Sequence, residues 1–399
     1  MWLFTLHTPF IATSMQWLKW ILVLIGHTGI WCIVFNHIHA SSFPRRQRKL
    51  TELLILFVVV VPVLLVAAKL LFDFSLQMAG FTLWLKWYFY TAMVFGFFLT
   101  TRWFFRRLTT HLPPTVTHTG TRRFNIQGRL SQPLLAGTKA NILGRIPFNQ
   151  ALDLSEESFE FSKPNLHPDL DGLRIVHLSD LHFTGCILPE YFQVVIEQAN
   201  RFEPDLVFLT GDLIDNERCL DWLESILSQL QAKHGKYYIL GNHDRRIEDE
   251  SVLRNKLRAA GLISAADGNW HDIPIGRALV RIAGNELPWY VHANELQTDA
   301  GMPNSDLKML LSHTPDQIGW ARQHQFDFVF AGHTHGGQIR LPLIGPIVSP
   351  SRHGVKYCAG TFQFGDTVMH VNRGLSADEP IRILCPPELT LVTICKTDP

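Results

Sequence analysis

Cysteine is sparse and scattered in this 399-residue chain: Cys32, Cys186, Cys219, Cys358, Cys385 and Cys395 form no Cys-x-x-Cys pair and no close cluster. That pattern excludes a zinc knuckle or a disulfide scaffold and suits a reducing compartment. A net basic field is missing too. With a formal charge of +1 there is no reason to expect a nucleic-acid partner. No internal repeat or low-complexity tract interrupts the sequence, so a solenoid or an unfolded array is excluded. The length exceeds one average domain and leaves room for a membrane unit beside a full enzyme domain.

What the chain has in excess is apolar sequence in its first hundred residues. Three stretches, 17–35, 53–72 and 79–99, each approach the roughly 20 residues that carry a helix across a bilayer core. The second is the plainest, running from Leu54 through Pro62 to Ala68 without a charge. The first carries His27 and Thr28, and the third carries Lys86, which either snorkels to an interface or precedes the start of the span. A cleaved signal peptide competes for the first stretch. Its apolar run is longer than a typical signal core and no Ala-x-Ala-like site follows, so an uncleaved anchor is expected.

Flanking charge sets the expected orientation. Arg45, Arg46, Arg48 and Lys49 lie between the first two stretches, the link 73–78 has no Lys or Arg, and Arg102, Arg106 and Arg107 follow the third. Positive loops stay in the cytoplasm. The amino terminus and the link are therefore expected outside, and everything beyond Arg107 inside. Lys19, Lys69 and Lys86 dilute this signal without reversing it. Residues 1–112 are thus expected to form a membrane anchor of about three transmembrane helices. From 113 to 164 the composition turns to Thr, Gly, Arg, Pro and Asn with little periodicity, which reads as a linker that packs partly on its neighbours. Arg122 and Arg123 within it read as a solvated face rather than a lipid contact.

Beyond residue 165, short apolar runs alternate with amphipathic segments. Strands are expected at 173–178, 205–210, 236–240, 307–311 and 326–331, and helices at 189–201, 218–231 and 315–323. Residues 348–395 read as short strands and turns. Such alternation predicts an α/β domain with crossover connections over 165–399. Each strand runs into a polar motif. These are Asp180-Leu181-His182, Gly211-Asp212, Gly241-Asn242-His243-Asp244, Ser312-His313 and Gly332-His333-Thr334-His335. One such motif is commonly a turn. Five of them, each just past the carboxyl end of a strand, deliver Asp, His and Asn to the functional edge of an open sheet.

With these motifs the sequence resembles the calcineurin-like metallophosphoesterases from about Asp171 onward. Leu178-Ser179-Asp180-Leu181-His182, Gly332-His333-Thr334-His335-Gly336-Gly337-Gln338 and Asn372-Arg373-Gly374-Leu375 resemble a branch of bacterial membrane-associated phosphoesterases, with Ser376 where that branch usually has glycine. The resemblance implies a four-layer αββα sandwich of two mixed sheets, following the transmembrane region, at a bacterial inner membrane. It implies that Asp180, His182 and His335 hold one metal, that Asn242, His313 and His333 hold a second, and that Asp212 bridges both. Carboxylate, amide and imidazole donors suit two divalent ions of Mn, Fe or Zn. Such a pair lowers the pKa of a shared water and neutralises phosphoryl oxygens, so that hydroxide attacks phosphorus in line with the departing alkoxide. His243 is the candidate to protonate that leaving oxygen, with Asp244 fixing its tautomer. Arg373 and Gln338 stand equally for phosphate binding or loop bracing, while His177 and His353 read as structural.

Three functions compete. A membrane-anchored hydrolase of phosphate esters leads, with lipid-linked substrates favoured because the anchor confines the enzyme to two dimensions. A phosphodiesterase for a soluble nucleotide is the second, and a non-catalytic scaffold or sensor the third. A scaffold would be expected to have lost ligands, and every motif is complete.

Overall fold

The computed structural model describes residues 8–41, 43, 45–72, 79–109, 112–290 and 302–396. The link 73–78 and residues 291–301 lie outside them. The chain divides into two compact units, 1–111 and 112–399.

Three helices make the first unit: α1 (Thr8–His39), α2 (Arg45–Phe72) and α3 (Ala79–Thr109). Among the described residues, Trp17–His39 is long and apolar enough to cross a membrane. Where α1 meets α3, side chains are missing. A Cβ on Gly26 would stand 1.7 Å from the Ala92 carbonyl oxygen, and one on Gly96 1.9 Å from that of Leu22. Small residues at such a crossing let two backbones approach closely. His27, the polar residue of the first stretch, is buried beside it. Its Nδ1 lies 2.5 Å from the Tyr88 hydroxyl on α3 and its Nε2 3.1 Å from the Val59 carbonyl on α2, so one imidazole joins three helices.

The second unit is built on two mixed sheets. The first contains β1 (Val116–Asn125), β2 (Asp153–Lys163), β3 (Leu173–Leu178), β4 (Leu206–Thr210), β5 (Lys236–Ile239), β6 (Ile263–Ser264) and the distant β15 (Glu388–Lys396), in the order β1-β2-β15-β3-β4-β5-β6. The second contains β7 (His271–Ile275), β8 (Ala278–Asn285), β9 (Leu307–Ser312), β10 (Phe328–Ala331), β13 (Gly360–Phe364) and β14 (Thr367–Val371), in the order β13-β14-β10-β9-β8-β7. In the chain between β10 and β13, β11 (Arg340–Leu341) and β12 (Gly345–Pro346) pair as a separate hairpin. The parallel strands β3, β4 and β5 are covered on both faces, and Leu206-Val207-Phe208-Leu209-Thr210 is buried throughout, as such strands require.

Packing gives four layers. Ile175, Phe208 and Ile239 of the first sheet meet Ile282, Met309 and Phe330 of the second in one core. Outside the first sheet pack α5 (Pro189–Arg201), α6 (Leu220–Leu227) and α7 (Glu250–Ala259), with Tyr191, Phe192, Val195, Ile196 and Ala199 of α5 buried at helical spacing. Outside the second lies α8 (Ile318–Gln323), through Ile318 and Ala321. A four-layer αββα sandwich is the result.

The segment 113–164 departs from the expected linker, because it supplies β1, β2 and the short helix α4 (Thr138–Gly144) to the second unit. Two facts hide these strands. β1 is an edge strand whose outward residues are polar. In β2 the period of two is masked because Glu156 and Glu157 are both buried. Arg122, whose side chain is exposed as expected, also binds Glu156 through Nε at 2.6 Å and Nη2 at 2.8 Å, so the solvated charge is a cross-strand partner as well.

Candidate metal centre

The five motifs occupy the turns leaving β3, β4, β5, β9 and β10, at one edge shared by the two sheets. Closing these turns requires unusual backbone. Asp180, His182, Asp212, His333 and His335 all have φ between 47° and 69°, the left-handed region that costs a non-glycine residue about 1–3 kcal/mol. Glycines admit the carboxylates. A Cβ on Gly241 would stand 2.3 Å from Asp212 Oδ1, and one on Gly332 2.4 Å from Asp180 Oδ2.

Two groups of donors result, sharing Asp212. In the first, Asp180, His182, Asp212 and His335 bring one ligand atom each within 4.8 Å of the others, and in the second Asp212, His313 and His333 do the same. His335 Nε2 lies 3.4 Å from Asp180 Oδ1, and His182 Nε2 lies 3.7 Å from Asp212 Oδ2. In the second group His313 Nε2 is 3.3 Å from both Asp212 Oδ2 and Asn242 Oδ1. All seven positions expected from the motifs are therefore gathered on two adjoining points.

Whether the donors fit cations is decided at the far side of each ring. His182 Nδ1 lies 2.7 Å from Asp215 Oδ2, His313 Nδ1 2.6 Å from the Thr210 carbonyl, and His335 Nδ1 3.1 Å from the Ser376 carbonyl. Each acceptor holds the proton on Nδ1, which turns an Nε2 lone pair into the centre. His182 Nε2 and His335 Nε2 face each other at 3.1 Å, close enough that a proton or a cation must lie between them. Burial opposes charge on His182, yet Asp215, Asp212 and Asp180 raise its pKa to about 10; Asp212 likewise raises His313 to about 9. Burial alone would raise Asp212, but His313 and His243 hold it well below the usual carboxylate range. Acidic and nearly closed to water, the site calls for positive charge, and its oxygen and imidazole donors fit divalent ions.

His243 stands beside this centre, half-buried, with its ring 4.6 Å from that of His182. Its partner differs from the one expected. Asp244 does not reach His243: its Oδ1 accepts from the Leu213 and Ile214 amides at 2.8 and 3.0 Å, and its Oδ2 from the Gly241 amide at 2.7 Å. Burial and the Asp212 charge push Asp244 up to about 7. It braces the ligand turns. Asp215 takes the orienting role, its Oδ1 2.5 Å from His243 Nδ1, while Arg246 Nη1 donates to the same oxygen and to Asp378.

The motifs do not point to Asp215 or Trp289, and Ser376 stands out in the sequence only as a departure from the branch's glycine. The only sequence signal for Asp215 is its spacing, three residues after Asp212; Trp289, whose ring packs against His313 and His333, gave none. The open choice for Arg373 and Gln338 resolves toward bracing. Arg373 Nη2 donates to Glu157 at 2.6 Å and its Nε lies 3.0 Å from Glu388, while Gln338 donates to the Ile381 carbonyl at 3.0 Å. His177 is buried and bonded to Thr210, and His353 is an exposed ring against Tyr357.

Comparison with known proteins agrees with this geometry. The family model described as calcineurin-like phosphoesterase matches residues 173–337. The chain is 34% identical over 232 residues to the uncharacterized metallophosphoesterase YkuE of Bacillus subtilis, covering 57% of this chain and 81% of that protein. It is 26% identical to the phosphodiesterase YaeI of Escherichia coli, over 61% of this chain and 88% of that one. It is 25% identical to the UDP-2,3-diacylglucosamine pyrophosphatase LpxG of Chlamydia muridarum, over 57% of this chain and 85% of that one.

Proposed function

The chain belongs to the calcineurin-like phosphoesterases and is a metal-dependent phosphoester hydrolase; from that premise we propose that it is a membrane-anchored enzyme using two divalent cations to cleave a lipid-linked phosphate ester. Asp180, His182 and His335 would hold one cation, Asn242, His313 and His333 the other, and Asp212 would be shared by the two. The observation that carries this reading is the set of ligand imidazoles whose Nδ1 atoms meet acceptors and whose Nε2 atoms converge. When bound, the cations supply Lewis acidity and an activated water.

The remaining work falls to the chain. Asp215 holds His243 by Nδ1, which presents this imidazole as the proton donor to the leaving oxygen. Asp244 keeps the Asp212 and Asn242 turns in register through the three amides it binds. Trp289 and the closed turns limit water at the second cation.

The lipid-linked reading is supported by the apolar helix Trp17–His39 and by a relative named as a diacylglucosamine pyrophosphatase. Flanking charge favours a cytoplasmic catalytic unit. A phosphodiesterase for a soluble nucleotide is the alternative, and the Escherichia coli relative is named a phosphodiesterase. Purified protein is expected to contain close to two metal equivalents, and Asp212→Asn to lose most of the metal and the activity together. One equivalent with unchanged turnover in that variant would sink the two-cation reading. Assay against diacyl-sugar diphosphates, isoprenyl phosphates and cyclic nucleotides separates the substrates.

A further inference from the structure

Beyond His335 the chain turns at Gly336 and Gly337, both with positive φ, and enters the hairpin β11–β12, which forms a two-stranded sheet of its own. Its foot is fixed. A Cβ on Gly337 would stand 2.4 Å from Pro346 Cβ, the Arg340 Nε donates to the Gly336 carbonyl at 2.7 Å, and the Arg340 amide donates to the Ile383 carbonyl at 2.9 Å. Its tip is apolar and faces solvent. Ile339, Leu341, Leu343 and Ile344 are exposed, Leu343 by 78%. Leu343 also has φ 64°, where Asn or Gly is the unstrained choice for a solvated turn. Ile383 bridges Ile339 on one side and Asn149 on the other, which brings exposed Leu384 and 85%-exposed Phe148 to the same foot.

Charge follows the same asymmetry. Residues 336–365 contain no Asp or Glu, while Arg340, Arg352 and Lys356 are cations. An apolar tip on a strand that carries Arg340, in a stretch of the chain without acidic residues, has the chemistry of an interfacial element, in which apolar side chains enter the acyl boundary and cations meet anionic headgroups. A second copy of this chain docking through the same patch would set like charges face to face. The chain also contains a helix able to cross a bilayer.

We infer that the hairpin 339–348, with Phe148 and Leu384, docks the unit 112–399 onto an anionic phospholipid surface and sets the His335 side of the metal centre at headgroup level. The inference deepens the lipid-linked reading, on which it rests, by naming the surface from which such a substrate is drawn. Hydrogen exchange on the full-length protein tests it, in nanodiscs of phosphatidylcholine alone or mixed with phosphatidylglycerol. Amides of 339–348 are expected to exchange roughly tenfold more slowly in the anionic discs. The double variant Leu343→Asp, Ile344→Asp is expected to lose that difference while hydrolysing bis(nitrophenyl) phosphate at the wild-type rate. Equal exchange in both lipids overturns the inference, as does protection that follows protein concentration instead of lipid charge. Slow exchange in an enzyme that cleaves no lipid-linked ester would leave the docking intact and remove the substrate reading.

Discussion

Asp215 serves two imidazoles at once, one oxygen on His182 and the other on His243, so a candidate ligand and the candidate acid share a counter-charge. If His243 donates the proton, His243→Ala should keep its metal yet slow esters with poor leaving groups by roughly 10²–10⁴-fold. Nitrophenyl esters should lose less; equal losses for both would assign the ring a purely structural part. A second line of bonds ends on Asp180. The Thr210 hydroxyl donates to Ser179, whose hydroxyl donates to Asp180 Oδ2 at 2.5 Å, so Thr210 accepts from the His177 Nε2–H at 2.9 Å. Thr210→Val keeps the shape and cuts the line. Its metal affinity should fall roughly 10–100-fold, read by competition with a chromogenic chelator; an unchanged affinity would mean that the His333 amide suffices to hold Asp180.

Arg373 makes a prediction about acid. Burial raises Glu157 and Glu388, but Arg373 beside both, with His370 beside Glu388, holds them below the usual carboxylate range. Folded pKa values below unfolded ones mean stability that is present above about pH 4.3 and lost as pH falls through the folded values. Arg373→Met removes the one permanent positive charge bonded to both buried carboxylates, leaving Glu157 to His118, Thr121 and Ser155 and Glu388 to His370 and Thr390, and should cost about 3–5 kcal/mol at neutral pH. Chemical unfolding should find that gap narrowing below about pH 4. A gap independent of pH would remove the ion pairs as its cause.

At the scale of elements, β2 lies between β1 and β15, so the stretch expected as a linker supplies both an edge strand and an interior strand of the sheet. Protein beginning at residue 112 is therefore expected to fold, and protein beginning at 165 to aggregate, its β15 left without a partner on one side. Soluble, monomeric protein from the shorter chain would contradict this. The same comparison shows what the sequence could convey. Strands β3, β4, β5, β9 and β10 were legible because both faces are apolar and each ends in a ligand motif. β1 and β2 were not, because their inward polar residues find partners far along the chain, Glu156 on Arg122 and Glu157 on Arg373. Distance in sequence also explains Asp244. Its neighbour His243 suggested a pair, but the turn aims the carboxylate at the amides of 213, 214 and 241, and leaves the imidazole to a residue 28 positions earlier.

For the whole molecule, the charges flanking the apolar stretches predict that reporters in the link 73–78 and at the carboxyl terminus lie on opposite sides of the membrane, the latter inside. A carboxyl-terminal reporter active only outside the cytoplasm would overturn that orientation. β15 has a consequence of another kind, set by the clock of translation. It pairs with β2 in parallel and with β3 in antiparallel, yet it begins roughly 225 residues after β2 ends. At about 5–20 residues per second, the facing edges of β2 and β3 leave the ribosome roughly 10–45 s before the strand that joins them. Throughout that interval the nascent chain exposes two open edges, and slowing elongation between them should raise its dependence on chaperones.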